Sequence, residues 1–353
     1  MSEVDIKLSS GMGRVEYYWK QALERLGYVF MHIGPEQIGP IRHQSLFPYK
    51  AYRYYKKLNI KPVAFIVHEP AASYFVNKGI PCFLESHGIE RRNWENQLNG
   101  IIPLGVQISF RTKLLFPLWR LHGCDKGLRY ADKLLLINSD DQIYAKKKYA
   151  RTADDVFLFR NGVSNFEDIA AKPSSETFTV LFNGTWIERK GTFLLVKAAE
   201  MLFQRGLNIK YLLIGAGKDE QTVMNDWPEA LRPYVSVVSS FPPKMETEYL
   251  SWASIVVLPS YFEGQPLSLL QAMAAGKCCI STNSCGQKDI IDNGQTGLLF
   301  EVGEETAFAA HIETCFYDRD LVQRIGMAAK SALAERTWEN VSNELAEYIS
   351  ANI

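Results

Sequence analysis

The stretch from 261 to 300, YFEGQPLSLLQAMAAGKCCISTNSCGQKDIIDNGQTGLLF, restricts the fold more than any other part of the chain. Pro266 opens an amphipathic run from Leu267 to Ala275, Gly276 stops it, and Cys278 to Ser281 read as a short buried strand. Proline at a helix start and glycine just past its end is the expected asymmetry. The turn at Glu263 and Gly264 feeds that helix. The first N–H groups of a helix have no partner within it, which suits phosphate oxygens or sugar hydroxyls. A turn, a helix and a buried strand in this order make one repeat unit of an α/β sheet.

The rest of the chain carries the same alternation. Glu16 to Leu26 has helical spacing, and Val29 to Ile33 reads as a strand. Pro62 to His68 is apolar and β-branched and leads into a helix reaching Lys78. Ile80 to Ser86 and Lys133 to Asn138 are further strands. After a polar stretch at 167–178 come strand Thr179 to Asn183, helix Gly191 to Arg205, strands Lys210 to Ile214 and Val235 to Val238, helix Glu246 to Trp252 and strand Ile255 to Pro259. Alternating strands and helices predict parallel sheets with helices on both faces. The expectation is an α/β chain of two doubly wound Rossmann-like domains facing a cleft, spanning 1–166 and 179–337, with 167–178 as linker. A length of 353 residues suffices for two such domains.

Several short pieces, taken in order, resemble the retaining glycosyltransferases of family 4, which have the GT-B fold. They are SSGMGR near the start, ESHGIE at 85–90, ADKLLLINS at 131–139, RNGV at 160–163, FNGTWIERKG at 182–191, EGQPLSLLQAMAAG at 263–276 and NGQTGLLF at 293–300. The resemblance covers nearly the whole chain. It implies an acceptor-binding first domain, a nucleotide-sugar-binding second domain and a final helix, 338–353, that packs back on the first. It further implies transfer of a hexose-type sugar from a nucleoside-diphosphate donor, UDP- or GDP-linked, to a hydroxyl with retention at the anomeric carbon. Glycan, polysaccharide or glycolipid biosynthesis is the expected setting. A non-catalytic binder of sugar nucleotides or glycans and a sugar-nucleotide epimerase are the alternatives on the same fold.

In that family pattern Glu263, beside Gly264, Gln265 and Pro266, binds the donor sugar and stabilises developing positive charge. Lys190 holds the departing diphosphate, with Gly184 opening the turn before it. The family's arginine is replaced by Thr185, and Arg189 is the neighbouring candidate for its role. A second family glutamate, a ribose acceptor, is Gln271 here; an amide accepts on its oxygen but carries no charge. Gly11 and Gly13, read as a turn ahead of the first helix, would let backbone approach the donor. His87 would position groups near the transferred sugar, while His68 and Glu69 line the same strand edge. The expected catalytic residues are therefore Glu263, His87 and Lys190.

Charge and composition narrow the alternatives. Lysine plus arginine equals aspartate plus glutamate, 39 each, so no global field draws nucleic acid. Six cysteines without a C-x-x-C pair read as reduced thiols rather than a zinc site. The DRD at 318–320 matches a metal motif formally, but Asp318 suits a helix cap before Leu321. GAGK at 215–218 lacks the first glycine of a phosphate loop and reads as a strand-to-helix turn. No metal, and no cofactor beyond the donor, is expected. The N-terminus has no apolar signal core and no run reaches membrane-spanning length, so the expected location is cytoplasmic. Residues 100–121 mix bulky apolar side chains with Arg111, Lys113 and Arg120. They read either as a core-facing helix with its loop or as an interfacial segment touching a membrane face or a lipid-linked acceptor. Glycan, lipid-linked and small-molecule acceptors all remain open.

Overall fold

Ten strands, every described pairing parallel, form two sheets in a computed structural model that describes residues 1–8, 11–102, 108–164 and 177–353. Contacts divide the chain into two units. One comprises Met1–Asn99, Val106–Gly162 and Trp338–Ile353; the other comprises Gly100–Gly105 and Val163–Thr337. Most of the expected linker, 167–178, lies outside the described residues, and its last residue, Phe178, already begins a strand.

In the first unit β1 (Phe65–His68), β2 (Cys82–Ser86), β3 (Lys133–Leu136) and β4 (Val156–Leu158) lie side by side in chain order. β2 is buried throughout, as a strand covered on both faces must be. Its core gathers Phe47, Phe65, Phe75, Leu84, Leu134 and Leu136. The helix Trp338–Ser350 belongs to this unit. Trp338 stacks on Tyr18 with ring centroids 5.0 Å apart, and Tyr348 stacks on Phe157 at 4.5 Å. Gly162 permits the approach, since a Cβ there would lie 2.4 Å from the Trp338 Cα.

Three expectations for this unit are corrected. Val29 to Ile33 is not a strand: Val29 is 93% exposed, and the backbone bond at the far end of the segment runs from Ser2 N to Ile33 O at 3.1 Å. A cavity of about 130 Å³ is lined by Phe30, Met31 and Ile33 together with Phe65 and Ile66 of β1, so apolar character here does not translate into a ladder. The first helix runs Gly11–Arg25, which puts Gly11 and Gly13 inside its first turn rather than ahead of it. The stretch after β1 is a 3₁₀ turn, Glu69–Tyr74, in place of a helix to Lys78.

In the second unit the strand order is β10-β9-β8-β5-β6-β7, with β5 Phe178–Asn183, β6 Ile209–Ile214, β7 Val235–Val238, β8 Ile255–Leu258, β9 Cys278–Thr282 and β10 Leu298–Phe300. β8 and β9 are wholly buried. The chain builds outward from β5 through β6 and β7, then returns to the other flank of β5 for β8, β9 and β10. The order in which strands are added therefore reverses between β5 and β8, while the strands themselves stay parallel. All six cysteines are free and buried.

Candidate functional site

Open α/β sheets bind ligands beyond the carboxyl ends of their strands, where the strand order reverses. In the second unit that point lies past Asn183 of β5 and Leu258 of β8. After β5 the chain passes Gly184 and Thr185, forms the 3₁₀ turn Glu188–Lys190, and enters the helix Thr192–Gln204. After β8 it runs through Ser260, Tyr261, Phe262 and Glu263 to Pro266, which caps the helix Leu267–Ala274. Two glycines lock these turns together. Gly191 has φ +73°, and a Cβ on it would stand 1.9 Å from the Pro259 carbonyl oxygen. A Cβ on Gly286 would stand 1.7 Å from the Gly264 carbonyl oxygen. Tyr261 N also donates to Arg189 O at 2.9 Å, and Gly286 N to Glu263 O at 3.3 Å.

Glu263 is buried at the centre of this arrangement. Its Oε1 lies 2.7 Å from Lys190 Nζ and 3.3 Å from Arg189 Nη1. Burial pushes its pKa up, but the adjacent Lys190 ammonium and Arg189 guanidinium outweigh that and hold it below the usual carboxylate range. Two cations share one carboxylate, which leaves one formal positive charge. The free N–H groups at the start of the following helix add donors.

The other expected residues fall around it. Gly264, Gln265 and Pro266 form the turn, and Arg336 Nη2 donates to Gln265 Oε1. Gly184 is near Lys190, since a Cβ on it would be 3.8 Å from Lys190 Cε. Thr185 is exposed. Arg189, one residue before Lys190, is the guanidinium that reaches Glu263, because the 3₁₀ turn tucks its backbone against Tyr261. Gln271 is half-buried, one turn into the helix. Gly215 and Gly217, at φ +67° and +65°, make the GAGK segment a turn between β6 and the helix Glu220–Met224. Asp318 caps the helix Arg319–Ala332, its Oδ1 accepting from Leu321 N at 2.8 Å.

The first unit carries a second cluster, at the carboxyl ends of β1 and β2. Parallel register sets His68 opposite Glu85, and their side chains meet with Nε2 and Oε2 3.2 Å apart. His87 Nε2 lies 2.7 Å from the other oxygen, Oε1, of Glu85. Glu16, from the first helix, faces the same imidazole: its Oε1 is 3.2 Å from His68 Nε2, and its Oε2 is 3.1 Å from His32 Nδ1. Burial opposes charging His68, but Glu85 and Glu16 raise its pKa to about 10. Burial would likewise raise both carboxyls; the histidines hold Glu16 and Glu85 low instead. The result is a buried imidazolium between two carboxylates, with His87 on its outer end, only 18% exposed. An ionised carboxylate only accepts, so Glu85 fixes a proton on His87 Nε2.

Sequence reasoning singled out His87 and placed His68 at the edge, but missed the network. Glu16 carried the available signal, as a carboxylate on the buried face shared by Val15, Trp19 and Leu23. His68, Glu85 and His87 also place ligand-type atoms within 4.8 Å of one another, a grouping not anticipated when no metal was expected. Gly11 and Gly13 stand in the first turn of the helix that bears Glu16.

Residues 165–332 match the sequence model of the family described as glycosyl transferases group 1. The capsular polysaccharide biosynthesis glycosyltransferase CapM of Staphylococcus aureus is 26% identical over 185 residues, 51% of this chain and 49% of CapM. The uncharacterized glycosyltransferase MJ1178 of Methanocaldococcus jannaschii is 25% identical over 302 residues, 81% of this chain and 82% of the relative. Against CapM the chain thus spans about half of the relative's length. Among solved structures, sucrose-phosphate synthase from Thermosynechococcus elongatus superimposes with a TM-score of 0.75 at 17% identity, covering 99% of this chain and 95% of the other. The fold of the two parallel-sheet units is GT-B.

Proposed function

We propose that this chain, whose residues 165–332 match the sequence model of the glycosyl transferases group 1 family, is a retaining glycosyltransferase that moves a hexose-type sugar from a nucleoside-diphosphate donor to an acceptor hydroxyl. The observation that carries the reading is the buried Glu263 carboxylate held by Lys190 and Arg189 where the strand order of the second sheet reverses. Here Lys190 and Arg189 would hold the diphosphate and neutralise the charge that grows on it as the sugar departs. Arg189 supplies the guanidinium that Thr185 lacks. Glu263 would bind donor-sugar hydroxyls and face the positive charge developing at the anomeric carbon. Gln271 would accept from the ribose through its amide oxygen.

The second unit would take the donor and the first the acceptor, with His87, oriented by Glu85, placing the acceptor or sugar hydroxyls. In a retaining transfer the leaving phosphate oxygen can take the acceptor proton, so His87 positions rather than acts as the main base. The two cations would make a divalent metal unnecessary for diphosphate binding. The setting proposed is glycan or polysaccharide synthesis.

The test is release of nucleoside diphosphate from a panel of UDP- and GDP-sugars, with and without EDTA, alongside a thermal-shift screen of the same compounds. The reading expects one donor to raise the melting temperature and to be consumed in the presence of chelator. Binding without turnover against any acceptor would assign the chain to non-catalytic sugar-nucleotide recognition. Loss of turnover with EDTA, restored by manganese or magnesium, would remove the metal-independent mechanism.

A further inference from the structure

A helical stretch in the first unit carries apolar side chains that stand exposed among the described residues. The helix Phe110–Phe116 continues through a wider π-helical turn, Pro117–Leu121, into the helix His122–Tyr130. Its inner side is anchored. Phe116 packs on Trp94 with centroids 4.7 Å apart, and Leu121 is fully buried. Arg120 donates to both Glu3 and Glu90, with Nη1 2.6 Å from Glu3 Oε1 and Nε 2.7 Å from Glu90 Oε2. Arg120 is therefore a structural clamp, a correction to its expected place among the interfacial cations.

The outer side is different. Phe110, Leu114 and Leu118, at i, i+4 and i+8, are 82, 57 and 66% exposed. Leu115 and Trp119 are also more than a third exposed. Arg111 and Lys113 are exposed beside them, with no acidic partner among the described residues. Residues 100–121 contain no aspartate or glutamate, although acids and bases balance over the whole chain. Spaced apolar side chains on one helix face, rimmed by unpaired cations, suit the boundary between headgroups and acyl chains. The surface is a projecting helix rather than a groove shaped for a particular side chain. Among the described residues no helix is long and apolar enough to cross a membrane.

We infer that Phe110–Trp119 is a docking surface for an anionic lipid bilayer, with Phe110, Leu114 and Leu118 entering the interface and Arg111 and Lys113 meeting lipid phosphates. Lipid charge complements Arg111 and Lys113, and a fluid surface needs no matched shape. The clamp from Arg120 to Glu90 ties the docking helix to the segment that follows His87, so docking would fix the orientation of the first unit at the bilayer. The inference does not depend on the transfer reaction.

The test is co-sedimentation of the full chain with phosphatidylcholine vesicles, with and without 30% phosphatidylglycerol. The surface predicts at least tenfold stronger partitioning to the anionic vesicles, falling several-fold in high salt. The triple change Phe110→Ser, Leu114→Ser, Leu118→Ser should lower partitioning at least tenfold. The pair Arg111→Gln, Lys113→Gln should remove the preference for anionic lipid. Because these side chains are exposed, melting temperatures should stay within a few degrees of the unaltered chain, and a larger drop in the serine variant leaves the glutamine pair as the deciding comparison. Equal partitioning of all variants, or no partitioning to either vesicle, would overturn the inference. So would concentration-dependent dimerisation abolished by the same changes, which would make the face an interface between two copies.

Discussion

At the scale of single residues, the charge on Glu263 has two opposed effects. It neutralises part of the Lys190 and Arg189 charge, and in the proposed transfer it would face the positive charge developing on the sugar. Glu263→Gln should therefore lower turnover by about 100-fold or more while tightening nucleoside-diphosphate binding several-fold, as read by steady-state kinetics and calorimetry. Equal turnover in a folded variant would remove Glu263 from the mechanism. His68 gives a second residue-level prediction. Replacing it with leucine leaves Glu16 and Glu85 facing each other without their cation, a loss of about 3–5 kcal/mol in stability measured by denaturant unfolding. Because its pKa is raised to about 10, its contribution is complete below the unfolded value of about 6.5 and disappears as pH rises through about 10. The stability gap between the unaltered chain and His68→Leu should accordingly shrink across that window; a gap independent of pH would contradict a charged His68. Glu263 and Lys190 were each legible in sequence because each sits in its own motif, but their ion pair was not, since it depends on how two separate turns fold together. Arg189 was legible only as a neighbour, since its reach depends on how the 3₁₀ turn folds against Tyr261. The Glu16–His68–Glu85 network joins three separate segments, and no local spacing announces it.

At the scale of elements, the site is a pair of turns held by glycine contacts rather than by side-chain packing. Gly191→Ala and Gly286→Ala would each force the turn backbone apart, because their Cβ atoms meet carbonyl oxygens at 1.9 and 1.7 Å. Each should cost about 2 kcal/mol or more and weaken donor binding. Gly184→Ala, whose nearest contact is 3.8 Å, should be nearly neutral in stability. Thermal melting of the three proteins tests the contrast, and equal losses would show that the turns are not clamped this way. The long buried strands β5, β6, β8 and β9 were readable from apolar runs bounded by turn residues. The three-residue strands Val156–Leu158 and Leu298–Phe300 were not, because so short a run carries no periodicity. Val29–Ile33 had the composition of a strand but lacks a partner, which sequence alone does not supply.

At the scale of the whole molecule, two parallel sheets and a returning C-terminal helix follow from one repeated pattern of strand, turn and helix. The return of Trp338–Ser350 to the first unit rests on the stacked Tyr18 and Trp338 rings, and Trp338→Ala should destabilise that unit by about 3 kcal/mol or more, read by the melting transition. Function in this account rests on the second unit's anion-receiving turn. The most direct measurement is calorimetric titration of the unaltered chain and Lys190→Ala with UDP and GDP, each compared with uridine and guanosine. The account predicts that whichever nucleoside diphosphate binds loses roughly ten- to a hundredfold in affinity, the worth of one charge-assisted contact, while the bare nucleoside binds both proteins alike. Unchanged diphosphate affinity, or an equal loss for the nucleoside, would contradict the assignment of Lys190 and its neighbours to the diphosphate.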